Sequence, residues 1–335
     1  MDKIKVGQRF IEDGRVFIIA EAGINHGGRL DDALKMVGIA ARAGADAIKF
    51  QSFVADRLVT KNGNGAAHSF FKRLELSHRD HLELSRAAAQ EGIIFLSTPF
   101  DTDGVDLLGE IGVPAYKIAS GDIDNYPLLR YASSKGKPMI ISTGASRLGE
   151  VAQAVDVARS SGASDLVLLH CTSNYPADVE DVNLRAMETL RVLGTHVGYS
   201  DHTVGAAVSI AAAALGATVI EKHFTLDKDA PGPDHKVSLD PAELAFLVEE
   251  IRRVEKALGS PIKKPVPRES EVYYGARRSL VARTDIPAGA VITGEMVDVK
   301  RPQKGLRPGH LEMVIGRRAR VNIAPDEFIT FEKIC

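Results

Sequence analysis

The strongest constraint on this chain is a repeat: a short apolar or β-branched run, then a stretch with helical periodicity, eight times over. The runs fall at residues 16–22, 47–53, 93–100, 115–120, 138–143, 166–172, 196–200 and 219–224. The helical stretches cover 30–43, 80–90, 104–110, 128–134, 148–160, 182–193, 205–215 and 241–258. Glycine stands where the first seven should stop, and Asp240-Pro241 opens the last as N-cap and first-turn proline. Strand–helix–strand connections place neighbouring strands parallel, and eight such units predict a closed (β/α)₈ TIM barrel, an α/β fold. An open doubly wound sheet would carry a glycine-rich phosphate fingerprint after its first strand, and residues 21–28, EAGINHGG, do not fit GxGxxG.

The barrel pattern fills residues 1–260. Residues 261–276, rich in proline at their start, read as a stiff linker, because proline bars both helix and ladder pairing. Residues 277–335 read as a small β-rich domain. A formal charge of −2 over 335 residues gives no electrostatic case for nucleic acid or an anionic membrane. No apolar stretch is long enough for a bilayer span and the start lacks a signal-peptide pattern, so a cytoplasmic protein is expected. Two cysteines, Cys171 and Cys335, imply no disulfide framework.

In such barrels the reactive groups sit where strands end. Here those ends carry Glu21, Lys49 and Gln51, Thr98, Lys117 with Ser120 and Asp122, Ser142, Asn174 and Tyr175, Ser200 with His202, and Glu221 with His223. Lys49 and Gln51 alternate with Ile48 and Phe50, so both polar chains share one face. Two lysines beside Ser120, Ser142 and Ser200 favour an anion site for a ligand with more than one negative group over simple ion pairing. His202 and His223 emerge side by side from neighbouring strands. Structural zinc takes four N or S ligands, so the pair points to an open, partly hydrated divalent site that polarises a carbonyl. His26 and His235 are lesser candidates. His68, His78, His81 and His310 are expected to face solvent.

These segments resemble the sialic acid (N-acetylneuraminate, nonulosonate) synthases, a branch of the phosphoenolpyruvate-condensing aldolases. The similar motifs are EAGINHGG (21–28), AIKFQ (47–51), STPFD (97–101), YKIASGD (116–122), ISTGAS (141–146), LLHCTSNYP (168–176), GYSDHT (198–203), EKHFT (221–225) and PGPDHKVSLDP (231–241). The tail resembles the family's antifreeze-like (SAF) domain. The resemblance implies metal-dependent condensation of phosphoenolpyruvate with an open-chain N-acyl-mannosamine-type sugar and release of phosphate. The acceptor would be N-acetylmannosamine or a 2,4-diacetamido-trideoxyhexose.

The resemblance also implies roles. His202 and His223 match metal ligands, usually for manganese, with magnesium or cobalt as alternatives. Lys49, Thr98 and Lys117 match groups holding the phosphoenolpyruvate carboxylate region, while Ser120, Ser142 and Ser200 match a phosphate cradle. Glu21, Gln51, Tyr175 and Asp234 match positions around the sugar and the reacting centre, and Glu21 or Asp122 would move protons. Arg301 matches an arginine reaching a partner subunit's site, which requires a domain-swapped homodimer. The chain departs from the pattern at Asp122, often Glu in the family, and at Ser173-Asn174-Tyr175, where some members have Asn-Ile-Tyr; either Ser173 or Asn174 would then meet the phosphate. One alternative is a synthase using a phosphorylated sugar. Another is a non-catalytic carbohydrate- or ice-binding protein, disfavoured because Arg277, Arg278, Lys300, Arg301, Lys304 and Arg307 make the tail basic.

Overall fold

The computed structural model describes residues 1–335, which divide into two units, Met1–Gly259 and Ser260–Cys335. The first unit begins with an antiparallel hairpin of β1 (Ile4–Val6) and β2 (Arg9–Ile11). Eight parallel strands follow: β3 (Phe17–Gly23), β4 (Ala47–Ser52), β5 (Ile94–Pro99), β6 (Tyr116–Ile118), β7 (Met139–Ser142), β8 (Leu166–His170), β9 (His196–Asp201) and β10 (Val219–His223). Their order is β5-β4-β3-β10-β9-β8-β7-β6. β5 and β6 lie side by side without a shared ladder, so the TIM-like ring is nearly closed. Helices Leu30–Ala43, Leu148–Ser160 and Pro241–Leu258 have the predicted bounds. Gly44 ends the first of these at φ 84°, a left-handed backbone that glycine adopts without steric cost.

Strand alternation divides the core in two. Ile18, Ile48, Phe50, Phe95, Ile141, Leu168 and Ile220 pack outward against the helices. Phe17, Ile19, Ala47, Leu96, Ile140, Leu169 and Val219 point inward and form a second cluster with Ile4, Val6 and Ile11, so the hairpin plugs the lower end. The interior is tight. A Cβ on Gly198 would stand 2.4 Å from the Val219 carbonyl oxygen.

Two polar devices hold the frame. At the start of helix Pro241–Leu258, Asp240 accepts from the Glu243 N–H at 2.8 Å while Glu243 accepts from the Asp240 N–H at 2.9 Å, a capping box contributing about 1 kcal/mol. Buried Asp46 accepts from Arg252 at 2.7 Å and the Ile18 N–H at 3.0 Å, with Arg15 at 3.4 Å. It thereby ties the last helix to the first barrel strand.

In the second unit residues 260–270 are exposed, and helix Ser270–Ala276 forms within the stretch read as linker. β11 (Ser279–Ala282) pairs antiparallel with β12 (Val297–Lys300), and Leu280, Ile286, Ile292, Val314, Ile323 and Ile329 are buried around them. No helix of the chain is long and apolar enough to cross a membrane.

Candidate active site

The inward positions above the apolar plug are polar, and they enclose a cavity of about 250 Å³ at the carboxyl ends of the strands. Glu21, Lys49, Gln51, Thr98, Lys117, Ser142, Ser200, Glu221 and His223 reach it from the strands themselves, and Ser120, Ser173, Tyr175 and His202 from residues just beyond them. Parity explains the strand members. Each lies an even number of residues from an inward apolar residue below, as Lys49 does from Ala47 and Thr98 from Leu96, except Ser200, which stands two residues above the inward Gly198.

Charge is concentrated here almost without solvent. Lys49 Nζ lies 2.8 Å from Glu21 Oε2 and 3.7 Å from Glu221 Oε2, and donates to Thr98 Oγ1 at 3.0 Å. Lys117 Nζ lies 3.5 Å from Glu221 Oε1, which also accepts from the Ser200 hydroxyl at 2.9 Å. Burial pushes the Glu21 carboxyl up, against the pull of Lys49, and the neighbouring Glu221 adds to the rise. Glu221 suffers the same burial, but Lys117 and Lys49 together hold it low. Burial opposes the Lys49 charge, yet Glu21 and Glu221 outweigh it and raise the ammonium. For Lys117 burial wins and the ammonium is lowered. One carboxylate thus serves two cations, while the second carboxyl is poised to hold a proton. Glu221, a strand-end residue that carried no assigned role in the sequence, is central to this network.

The histidine side is neutral. His202 Nδ1 donates to the Thr172 carbonyl at 2.7 Å, which leaves the Nε2 lone pair facing the Tyr175 hydroxyl at 2.9 Å. His223 Nδ1 is buried without a hydrogen-bond partner, and the two ring centroids are 5.6 Å apart. Burial depresses both imidazoles, His223 most strongly. Gly23 makes room for that ring. At φ +53°, a Cβ there would meet His223 Cε1 at 3.2 Å. No three His, Cys, Asp or Glu side chains in the chain converge as a metal-ligating group, but an orphaned buried nitrogen beside a second lone pair fits a divalent ion whose shell is completed from outside the protein.

Four expected residues lie elsewhere. Asp122 is not in the cavity wall: β6 ends at Ile118, the chain winds into a 3₁₀ turn over Ser120–Asp122, and the carboxylate accepts from Asn125 at 3.0 Å. Asn174 lines a neighbouring 610 Å³ cavity, whereas Ser173 lines both cavities. Asp234 flanks the site, with Oδ2 3.9 Å from His223 Nδ1. Arg301 is an exposed residue of the second unit.

Among the other histidines, His26 and His235 are buried outside the cavity. His26 Nδ1 accepts from the Gly28 N–H at 3.0 Å, and His235 Nδ1 bonds the Thr225 hydroxyl at 2.7 Å. His78 is exposed, but His68 and His310 are half-buried and His81 is fully buried, contrary to the expectation of solvent exposure. Asp201 and Lys222 form an ion pair of their own at 3.1 Å on the outward face.

The chain matches the model of the NeuB family over residues 36–263 and that of the SAF domain over residues 277–334. It is 46% identical over 335 aligned residues to an N,N'-diacetyllegionaminic acid synthase of Legionella pneumophila, covering 95% of this chain and 94% of that protein. It is 39% identical to the N-acetylneuraminate-9-phosphate synthase of Homo sapiens, covering 95% and 92%. Among solved structures, an N-acetylneuraminic acid synthetase from Leptospira borgpetersenii in complex with citrate superposes with a TM-score of 0.76 at 40% identity, over 81% of this chain and 95% of that one.

Proposed function

The chain belongs to the NeuB family, and we propose from its site that it condenses phosphoenolpyruvate with an open-chain N-acyl amino sugar and releases phosphate. The observation that carries this is the pair of buried lysines facing the Ser120, Ser142, Ser173 and Ser200 hydroxyls in one strand-end cavity, with Ser142 Oγ buried and unpartnered. A dianionic or trianionic ligand of small size suits that lining.

In this reading Lys49, Thr98 and Lys117 hold the carboxylate, and the serine hydroxyls hold the phosphate, with Ser173 in place of Asn174. Fixing both ends orients C3 toward the aldehyde and turns an encounter into an aligned step. A C3–C1 bond forms, water adds at C2, and the C2–O bond to phosphate breaks. Glu21, rather than Asp122, handles the protons, since it is raised by burial and lies within the cavity. Gln51, Tyr175 and Asp234 face the sugar. His202 and His223 would hold a divalent ion, manganese before magnesium or cobalt, which when bound supplies a Lewis acid for the aldehyde oxygen. Arg301 would come from the partner of a domain-swapped, cytoplasmic homodimer to touch the N-acyl group.

The 46% identity to the Legionella protein favours a 2,4-diacetamido-trideoxyhexose as acceptor over N-acetylmannosamine. The human relative's name keeps a phosphorylated sugar in the panel to be tested. The test is phosphate release from phosphoenolpyruvate with manganese and each acceptor in turn. Release with one unphosphorylated sugar is expected; none with any acceptor would overturn the proposal.

A further inference from the structure

Behind the cavity wall, three side chains form a buried hydrogen-bonded row across the outer faces of β4 and β5. Ser97 Oγ lies 2.7 Å from Ser52 Oγ, and Ser52 Oγ lies 2.8 Å from His81 Nε2. His81 Nδ1 lies 2.9 Å from the Ser77 carbonyl oxygen. A carbonyl only accepts, so Nδ1 bears the proton. Nε2 then accepts from the Ser52 hydroxyl, whose oxygen accepts from Ser97. Every donor in the row has one acceptor, and the three side chains are at most 2% exposed. A buried polar row this fully satisfied holds its geometry firmly.

Its location gives it a use. The register pairs Gln51 with Thr98, while Ser52 follows Gln51 and Ser97 precedes Thr98. The row therefore fastens the outer face of the rung whose inner face sends Gln51 and Thr98 into the cavity. Thr98 in turn accepts from Lys49. The row also closes the base of the excursion that carries helices Ala55–Leu58 and Gly65–Lys72. Ser52 stands at its start. At its end Ser77 caps helix His78–Gln90, accepting from the Asp80 N–H at 3.2 Å.

We propose that His81 is a positioning residue, which through Ser52 and Ser97 sets Thr98 against the bound phosphoenolpyruvate and its rung partner Gln51 toward the sugar; this rests on the function proposed above. The experiment uses the full-length chain with Ser52→Ala, Ser97→Ala, His81→Leu and His81→Gln, and the double variant S52A/H81L. Phosphoenolpyruvate affinity is measured by calorimetry with manganese present, and amide hydrogen exchange of residues 47–52 and 94–99 by mass spectrometry.

S52A and H81L should each weaken binding about fivefold, the equivalent of one ordinary hydrogen bond, and the double variant no further. H81Q, which keeps an acceptor for Ser52, should stay near wild type. Exchange of both strands should rise in the weakened variants alone. Unchanged affinity in folded S52A and H81L, or additive losses, would overturn the proposal. Should H81L fail to fold, S52A and S97A decide in the same way. Should the wild type itself not bind phosphoenolpyruvate, the functional reading falls, and unchanged exchange at both strands would overturn the positioning role on its own.

Discussion

Replacing Lys222 by methionine removes the cation of an ion pair in which both side chains have no solvent exposure. Asp201 would keep hydrogen bonds from Thr203 N–H and Oγ1, each at 2.8 Å, and from Ser209 Oγ at 2.6 Å. Its charge would stay partly compensated. Breaking a buried pair costs about 3–5 kcal/mol, and K222M should fall near about 3 kcal/mol. Asp201→Leu is harsher. It leaves the Lys222 ammonium with the Thr203 carbonyl as its hydrogen-bond acceptor, and strips Thr203 and Ser209 of an acceptor, so about 5 kcal/mol is expected. The double variant D201L/K222M buries no charge and should lose about 2–3 kcal/mol less than the sum of the singles. Urea unfolding followed by far-ultraviolet circular dichroism measures all four proteins on one scale. Additivity to within about 0.5 kcal/mol would refute the argument that the pair, and not its individual hydrogen bonds, dominates this face of β9 and β10.

Gly198→Ala forces a methyl against the Val219 carbonyl oxygen and Leu169 Cδ2, and should cost about 1–3 kcal/mol by overpacking; a midpoint unchanged in urea would show that the barrel can relax there. Burial raises the Asp234 carboxyl to about 6, so the folded chain binds this proton more tightly than the unfolded chain. Its contribution to stability is full below pH about 4 and is lost as pH rises through about 6, and Asp234→Asn should remove that part of the slope between these values. An identical pH profile of unfolding in wild type and variant would count against it. His223→Ala should reduce manganese-dependent phosphate release by more than about a hundredfold while leaving the circular dichroism spectrum intact, and should abolish calorimetric manganese binding. Full activity after metal depletion and manganese restoration would take the residue out of the site.

What could be read from the sequence was whatever a strict period of two determines. Lys49, Gln51, Thr98, Lys117, Ser142, Ser200 and His223 occupy strand positions, and alternation with apolar neighbours is enough to aim them. Legibility stops where the strand stops. Asp122 lies past the end of β6 in a 3₁₀ turn, and Asn174 lies past the end of β8, so counting by twos misplaces both. Glu221 was visible as a polar strand residue, but its choice between pairing one lysine and bridging two depends on β4 and β6 lying within reach across the ring. His81 is a similar case. One face of an amphipathic helix is expected to be buried, but a histidine on it is satisfied only because Ser52 waits in another element, and no local pattern encodes that partner. The short hairpin over residues 4–11 and helix Ala55–Leu58 were also missed, since runs of three or four residues carry too little periodicity.

The hairpin makes the barrel a cup and not a tube. With Ile4, Val6 and Ile11 sealing the floor, whatever enters or leaves the cavity, water included, uses one mouth. The dryness that sets the Lys49–Glu21–Glu221 balance is then backed from below by these three side chains and by the inward layer of Phe17, Ile19, Leu96, Ile140 and Leu169 above them. A change that opened this apolar stack from below would be felt as a change in charge chemistry, because water would weaken the contest between burial and pairing that raises Glu21 and holds Glu221 low.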